Sequence, residues 1–573
     1  MKKYNTLLVV IFTFLFVALL TWILPITYLN GEFVSAERAQ MGINELFSYP
    51  IYTFYNFIYV LAYLLIVGGF YGILNKTSAY RLILERIVKF VKGRELLFFI
   101  PTVLILATIV SFTGFTFEAL IFLPFIAAIV MLLGYDKITA ALTTIGTVSV
   151  GIIGTTFSSL VAGTFNDILS TTYTDLWIVK VVLLVLGVVI LLVNIILHNR
   201  KIERNETVEE NMFIPEKVKD KEVKVWPLIT ILVAFVLILV LSSIAFEDAF
   251  GVKFFTTSLE KLSAYRVLDR FVVLGVSLVV VLENVIRYIV RRCRVIEANK
   301  HSLLGRLRSI FRRNKDKSNG TSFIKLMGKV RLIVTIVFAV IFLVVLAKVL
   351  LEDVFKVTSI FTKALSTIKL DGVINGFTFG KVIGGMRPLG TWTYNEYIVL
   401  TVVVMTIIKL VYSVKINDAI EACGTGMKKV FYATMVSLLA YTVLIALSNH
   451  PVMLTALKPL LTLTDGLNNL TLALSTFVSA LFNTDFTYYQ YGILNLSYVT
   501  SYITDTSVYP LCGVITQSMY GLAMLVAPTS VVMLFSLSTL KISYFEWLKN
   551  IWKLFVELLI VLLVTFMIVL LLI

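Results

Sequence analysis

The sequence predicts an all-α polytopic membrane protein, arranged as an inverted repeat with two re-entrant hairpins and two interrupted helices. Three observations lead there. Apolar runs about one bilayer long recur along the whole chain, basic residues alternate between the segments that join them, and two acidic residues sit in polar turns inside apolar stretches.

Apolar residues make up 59% of the 573 positions, and the mean hydropathy is +0.94. The run TLLVVIFTFLFVALLTWILP at 6–25 reaches the ~20 residues needed to cross a bilayer. Met1-Lys2-Lys3 precedes it as in a signal peptide, but no small-residue cleavage site follows and the run is too long for such a core. It is expected to be a retained helix with a cytoplasmic N-terminus. Three cysteines (Cys293, Cys423, Cys512) and three histidines (His198, His301, His450) are scattered, which suggests neither a disulfide framework nor a metal site.

The formal charge of +16 is unevenly spread. Lys76, Arg81, Arg86, Lys89, Lys92 and Arg94 crowd the segment 75–95, whereas 29–50 holds only Arg38 among its acids. By the positive-inside rule the first segment is cytoplasmic and the second external. Continuing this way, helices are expected near 6–28, 51–74, 138–164, 176–197, 226–246, 270–290, 331–351, 394–412, 430–449, 508–540 and 551–573, with the C-terminus external. Segments 96–134 and 467–505 each hold two apolar arms around a polar turn and read as re-entrant hairpins.

The expected organisation is therefore a first transmembrane half at 1–197, a cytoplasmic linker at 198–225 and a linker helix with an external segment at 226–269. An inserted helix pair with a basic cytoplasmic loop follows at 270–351, and a second transmembrane half at 352–573. Each half ends in the same series of hairpin, interrupted helix and plain helix, and the charge rule gives the two series opposite orientations. Inverted repeats with broken helices are a recurring build of secondary transporters. In the insertion, arginines at 287–331 interleave with Leu307, Ile310 and Phe311. That pattern suits contact with anionic lipids, which accounts for the run without nucleic acid.

The polar features within the apolar stretches are the candidate site. A carboxylate at membrane depth costs at least ~2.5 kcal/mol on insertion scales and marks a pathway by default. Glu118, beside Thr116, and Asp485, beside Asn483 and Thr484, each occupy a hairpin turn. They are expected to hold a coupling ion, a proton or the amino group of a solute; N-terminal capping of a hairpin helix is the alternative role. In the first interruption, Gly154, Thr155 and Thr156 weaken the helix and supply hydroxyls. In the second, Pro528 frees an upstream carbonyl beside Thr529 and Ser530. Such breaks offer carbonyls to a cation and half-helix N-termini to an anion; a kinked packing helix is the plainer explanation. Tyr488 and Tyr489 are placed to gate the site.

The stretches LTWILPITYLNGEF (20–33), LLIVGGFYGILNKTSA (64–79), GFTFEALIFLPF (114–125), KINDAIEACGTGMKK (415–429) and LVAPTSVVMLFSLSTLKISYFEWLKNIWKL (525–554) resemble the YfcC-type membrane proteins. These are relatives of the anaerobic four-carbon dicarboxylate carriers in the ion transporter superfamily. The resemblance spans most of the chain except about 270–350. It implies a dimeric secondary transporter of small organic anions or amino acids in the plasma membrane, with Glu118, Gly154-Thr155-Thr156 and Pro528-Thr529-Ser530 at motif positions. Relatives often carry two adjacent acids where this chain has Phe117-Glu118, and a Ser-Gly-rich second hairpin where it has NTDFTYYQYG.

The expected function is a secondary transporter or exchanger of a small carboxylate-bearing organic solute. An amino acid is the favoured substrate, a four-carbon dicarboxylate or short peptide the alternative. No resident cofactor is expected, only Na+ or H+ as coupling ion. A passive channel and a membrane-embedded enzyme are the rivals. The chain has no HExxH, no GxSxG with a His partner and no nucleotide-binding loop.

Overall fold

The computed structural model describes residues 5–24, 28–29, 32–33, 40–202, 223–244, 392, 394–453, 455–457, 468–485, 503 and 505–572. All belong to one unit of the chain, Met1–Val252 with Leu389–Ile573. The expected helix pair at 270–351, its basic loop, and Tyr488 and Tyr489 lie outside the described residues.

The described residues are helical, apart from a two-residue ribbon pairing Tyr28–Leu29 with Glu32–Phe33. Helix α1 spans Asn5–Ile23. The expected helix at 51–74 is instead two, α2 (Ile43–Asn56) and α3 (Ile58–Lys76), separated at Phe57. Glu45 reaches back to the Gly42 N–H at 2.6 Å, which starts α2 inside the segment expected to be an external loop. The basic segment 75–95 is likewise not a bare loop. Residues Ser78–Val91 form α4, because Ala79, Tyr80, Ile83, Leu84 and Val91 recur at helical spacing and bury one face.

The first hairpin follows as α5 (Leu96–Thr113), a 3-10 turn at Phe117–Phe122 and α6 (Leu123–Leu132). Asp136 then caps α7 (Lys137–Ala141), accepting from the Thr139 N–H at 2.8 Å. Burial works against ionisation of Asp136, but hydrogen bonds from His198 and Thr139 outweigh it and hold the carboxyl below the usual carboxylate range. A π-helical turn, Leu142–Gly146, leads into α8 (Thr147–Ile153). After an irregular stretch, a second π turn (Ser159–Gly163) and α9 (Thr164–Leu169) continue the interrupted helix. Helices α10 (Trp177–Asn199) and α11 (Trp226–Leu241) complete this part.

Beyond the undescribed segment come α12 (Tyr394–Val411) and α13 (Ile416–Asn449). The latter was expected only over 430–449; it runs on unbroken through 416–429, with Ala419, Ala422 and Gly426 buried. Of the segment expected to be the second hairpin, α14 (Asn469–Ala480) is the described arm and 486–502 lies outside the described residues; the second interrupted helix consists of α15 (Tyr509–Ala523) and α16 (Val531–Leu540). Helix α17, Tyr544–Leu572, starts seven residues before the expected 551. Among the described residues seven helices are long and apolar enough to cross a membrane.

The centre of the bundle is α13, 78% of whose apolar span is buried, against 28% for α17. Its partner is α3, and the two approach through small residues spaced by four. A Cβ on Gly72 would lie 2.1 Å from the Ala422 carbonyl oxygen, and one on Gly426 would lie 2.1 Å from that of Gly68. Close backbone approach of this kind replaces hydrophobic driving force in a bilayer.

Gly426→Val is therefore expected to force α3 and α13 apart and cost ~1–3 kcal/mol or more, as overpacking does. Gly424 has open space around it, so Gly424→Ala should leave thermal stability equal or higher. Thermal melting of both purified variants checks the contrast. The Asp136 contribution is present above the unfolded carboxylate value of about 3.9. It is lost as pH falls through the lower folded value, so Asp136→Asn should remove part of the acid dependence of unfolding.

Candidate functional site

Gly114 ends α5 in the left-handed conformation, at φ 72°. A Cβ there would lie 2.1 Å from Ser158 Oγ, so only glycine lets the hairpin turn against the first interruption. The turn delivers Glu118, 3% exposed, into the bundle. Its Oε2 accepts the Thr116 N–H at 3.0 Å. Two tyrosines of α3 hold the turn by its backbone: Tyr63 donates to the Glu118 carbonyl at 2.8 Å and Tyr71 to that of Ile121 at 2.6 Å.

Beyond the end of α14, Asn483, Thr484 and Asp485 are all buried. The Asp485 N–H donates to Asn483 Oδ1 at 3.0 Å, and Asp485 Oδ2 accepts the Tyr441 hydroxyl of α13 at 2.5 Å. The two carboxyls, 367 positions apart by their numbers, come near enough for their charges to interact. Tyr63 and Tyr397 lie within the same reach of Glu118. Rings pack around them: Tyr394 stacks on Tyr59 at 4.6 Å and on Phe117 at 5.0 Å, and Phe57 stacks on Tyr441 at 4.2 Å. Among the described residues Lys180 is the one buried lysine or arginine, and the charge acting on it is Asp175.

The interruptions do something other than offer bare carbonyls. At the first, the carbonyls of Ile153, Gly154 and Thr155 accept from Ser518 (2.9 Å), Ser111 (2.6 Å) and Gln517 (2.9 Å). Gly154 lies against the α10 backbone at Leu184. The Thr155 hydroxyl bonds back to Ile152 at 2.8 Å, and the Thr156 N–H donates to the Ser111 carbonyl at 3.0 Å. At the second, Leu525 and Val526 carbonyls accept from Trp547 (2.8 Å) and Tyr544 (2.6 Å) of α17. Pro528 lines an apolar groove with α1.

The two breaks are built alike. Ser158 donates to the carbonyl of Thr113 at the end of α5, and Thr529 to that of Leu481 at the end of α14. Ser158 and Ser530 then cap the following half-helices, accepting from Val161 and Met533 N–H. Each break is thus stapled to its hairpin. The first is also bound to α15, where Ser149 donates to the Gly521 carbonyl at 2.6 Å.

Sequence alone did not single out Tyr63, Tyr397, Tyr441, Ser111, Gln517 or Trp547 for these roles. Their one available signal is a polar tip within an apolar run, which membrane-interface tyrosines and tryptophans share.

A bundle of apolar helices long enough to span a membrane, with a hairpin turn and the end of α14 each placing a buried carboxyl in its interior, has the build of a membrane transport protein. Residues 5–263 match the family model of the C4-dicarboxylate anaerobic carriers. Over that stretch, which includes the first hairpin and first break, the chain is related to the anaerobic dicarboxylate carriers, a family of transporters. No curated protein and no solved structure matches the chain.

Gly114→Ala is expected to lower the melting temperature, since a left-handed residue with a Cβ costs ~1–2 kcal/mol before any clash. Gly513→Ala, whose added Cβ meets only Leu169 at 3.6 Å, should change it little by comparison. Equal melting curves for the two would show that the turn does not need glycine.

Proposed function

We propose that the protein is a secondary active carrier of a small carboxylate-bearing solute that also bears an amino group, with Glu118 and Asp485 receiving that group. The observation that carries this is the charge balance. Two buried carboxylates lie within interaction distance, and the charge felt by Glu118 is that of another acid. Buried charges are stable only when paired or neutralised. A solute ammonium, Na+ or H+ at the pair would balance these charges, so translocation is coupled to cation occupancy of the pair. Either Na+ or H+ serves as the coupling ion in exchange or symport.

The two similarly stapled breaks and hairpins support an inverted repeat with alternating access, the first series opening toward the cytoplasm and the second outward. The N-terminus is then cytoplasmic, the C-terminus external and the membrane the plasma membrane, with the carrier a homodimer. Thr116, Asn483 and Thr484 shape the two turns, and the break residues anchor them. The loop at 287–331 contributes anionic-lipid contact.

A four-carbon dicarboxylate is the second substrate class, favoured by the family match. It would place like charges together and so require cations bound at both acids. A short peptide, with its terminal amine, would satisfy the pair as an amino acid does.

Glu118→Gln and Asp485→Asn, reconstituted in liposomes, should each lower solute uptake at least about tenfold, since a bond to a charged group is worth ~1.5–3 kcal/mol. Both proteins should still purify as monodisperse, ligand-free species. Wild-type uptake in both variants would remove the carboxyls from the site.

A further inference from the structure

Tyr441 stands in the C-terminal half of α13. Thr434, Ser437 and Ser448 of the same helix bond to its own carbonyls, while Thr442 accepts from Thr53 of α2. Tyr441 reaches across to the end of α14 and donates to Asp485 Oδ2 at 2.5 Å. A short O–H bond to a carboxylate is among the stronger kinds available to a side chain. The Phe57 ring, 4.2 Å away and nearly parallel, fixes the phenol in that direction.

The first hairpin is held differently. Tyr63 donates to the backbone carbonyl of Glu118, not to its carboxylate. A ligand engaging the Glu118 carboxylate leaves that tether intact. A ligand engaging Asp485 competes directly with Tyr441.

We propose that Tyr441 is a ligand-displaced latch: its hydroxyl occupies on Asp485 the place that the protonated amine of the solute takes, and its displacement loosens the end of α14 from α13. This rests on the amine-bearing solute proposed above. A phenol offers one neutral donor, whereas an ammonium offers three donors and a full charge. Between two carboxylates the ammonium is the better partner on both counts. Tyr441 is thus a specificity-determining residue: a solute without a strong cationic donor does not lift it.

The test is thermal stabilisation of the full-length protein in detergent by the twenty amino acids, ornithine, putrescine and succinate. Wild type, Tyr441→Phe, Asp485→Asn and the double variant are compared, with gel filtration reporting folding. Tyr441→Phe keeps the ring packed on Phe57, and losing the competing bond should tighten binding of the stabilising amines about tenfold. That gain should vanish in the Asp485→Asn background, as coupling between the two residues requires. A merely structural tyrosine would weaken binding or leave it unchanged. If amines stabilise wild type and Tyr441→Phe binds them no more tightly, the latch is overturned while the proposed function stands. If no amine stabilises wild type, the amine-bearing substrate fails and the latch with it.

Spin labels at Phe431 of α13 and Leu470 of α14, both more than half exposed, give a second readout. Their distance should change on adding a stabilising amine to wild type, and should already be shifted in ligand-free Tyr441→Phe. An unchanged distance in both overturns the release step.

Discussion

Two carboxylates buried within reach of one another are the constraint on which the rest of the bundle depends. Each costs several kcal/mol to desolvate as an ion, and like charges add to the cost. Hydrogen bonds offset part of it: the Thr116 N–H donates to the Glu118 carboxylate and the Tyr441 hydroxyl to that of Asp485. In the proposed carrier, occupancy of the pair decides which arrangement of the turns is stable.

The bundle accordingly divides its labour. The α3–α13 seam, closed by glycines at van der Waals limits, has no freedom to slide without breaking packing along its length. The hairpins and interrupted helices are joined by individual hydrogen bonds from Ser, Thr, Gln and Trp. These satisfy the backbone groups that any break exposes at membrane depth. They are also exchangeable one at a time, which suits elements that must be re-aimed between states. The breaks thus serve as anchoring points for the turns that carry charge, and their carbonyls are engaged in that anchoring.

Much of this was legible in the sequence, and the failures have physical causes. Apolar run length located the spans, and an acid in an apolar setting located both Glu118 and Asp485. Charge counting gave 75–95 a side of the membrane but not a structure, because six basic residues there conceal the buried stripe of the amphipathic α4. The helix expected over 430–449 begins earlier: α13 runs on through Gly424, which is open to space, and Gly426, which is held against α3. The polar breaks were expected to offer carbonyls to a cation and half-helix N-termini to an anion; donors 18 to 365 residues away engage those carbonyls, and no local pattern reveals such partners. Tyrosine roles were equally hidden, since one residue type serves interfaces, packing and buried hydrogen bonds.

The most direct measurement of the central claim is counterflow in liposomes holding the purified protein. Labelled amino acid is supplied outside, with and without an excess of the unlabelled compound inside. A carrier whose carboxyl pair must be reoccupied predicts faster and transiently concentrative labelled uptake when the unlabelled compound is inside, abolished by replacing both acids. Uptake of the tested amino acids that is indifferent to internal solute, or an absence of uptake beside normal succinate exchange, would contradict it.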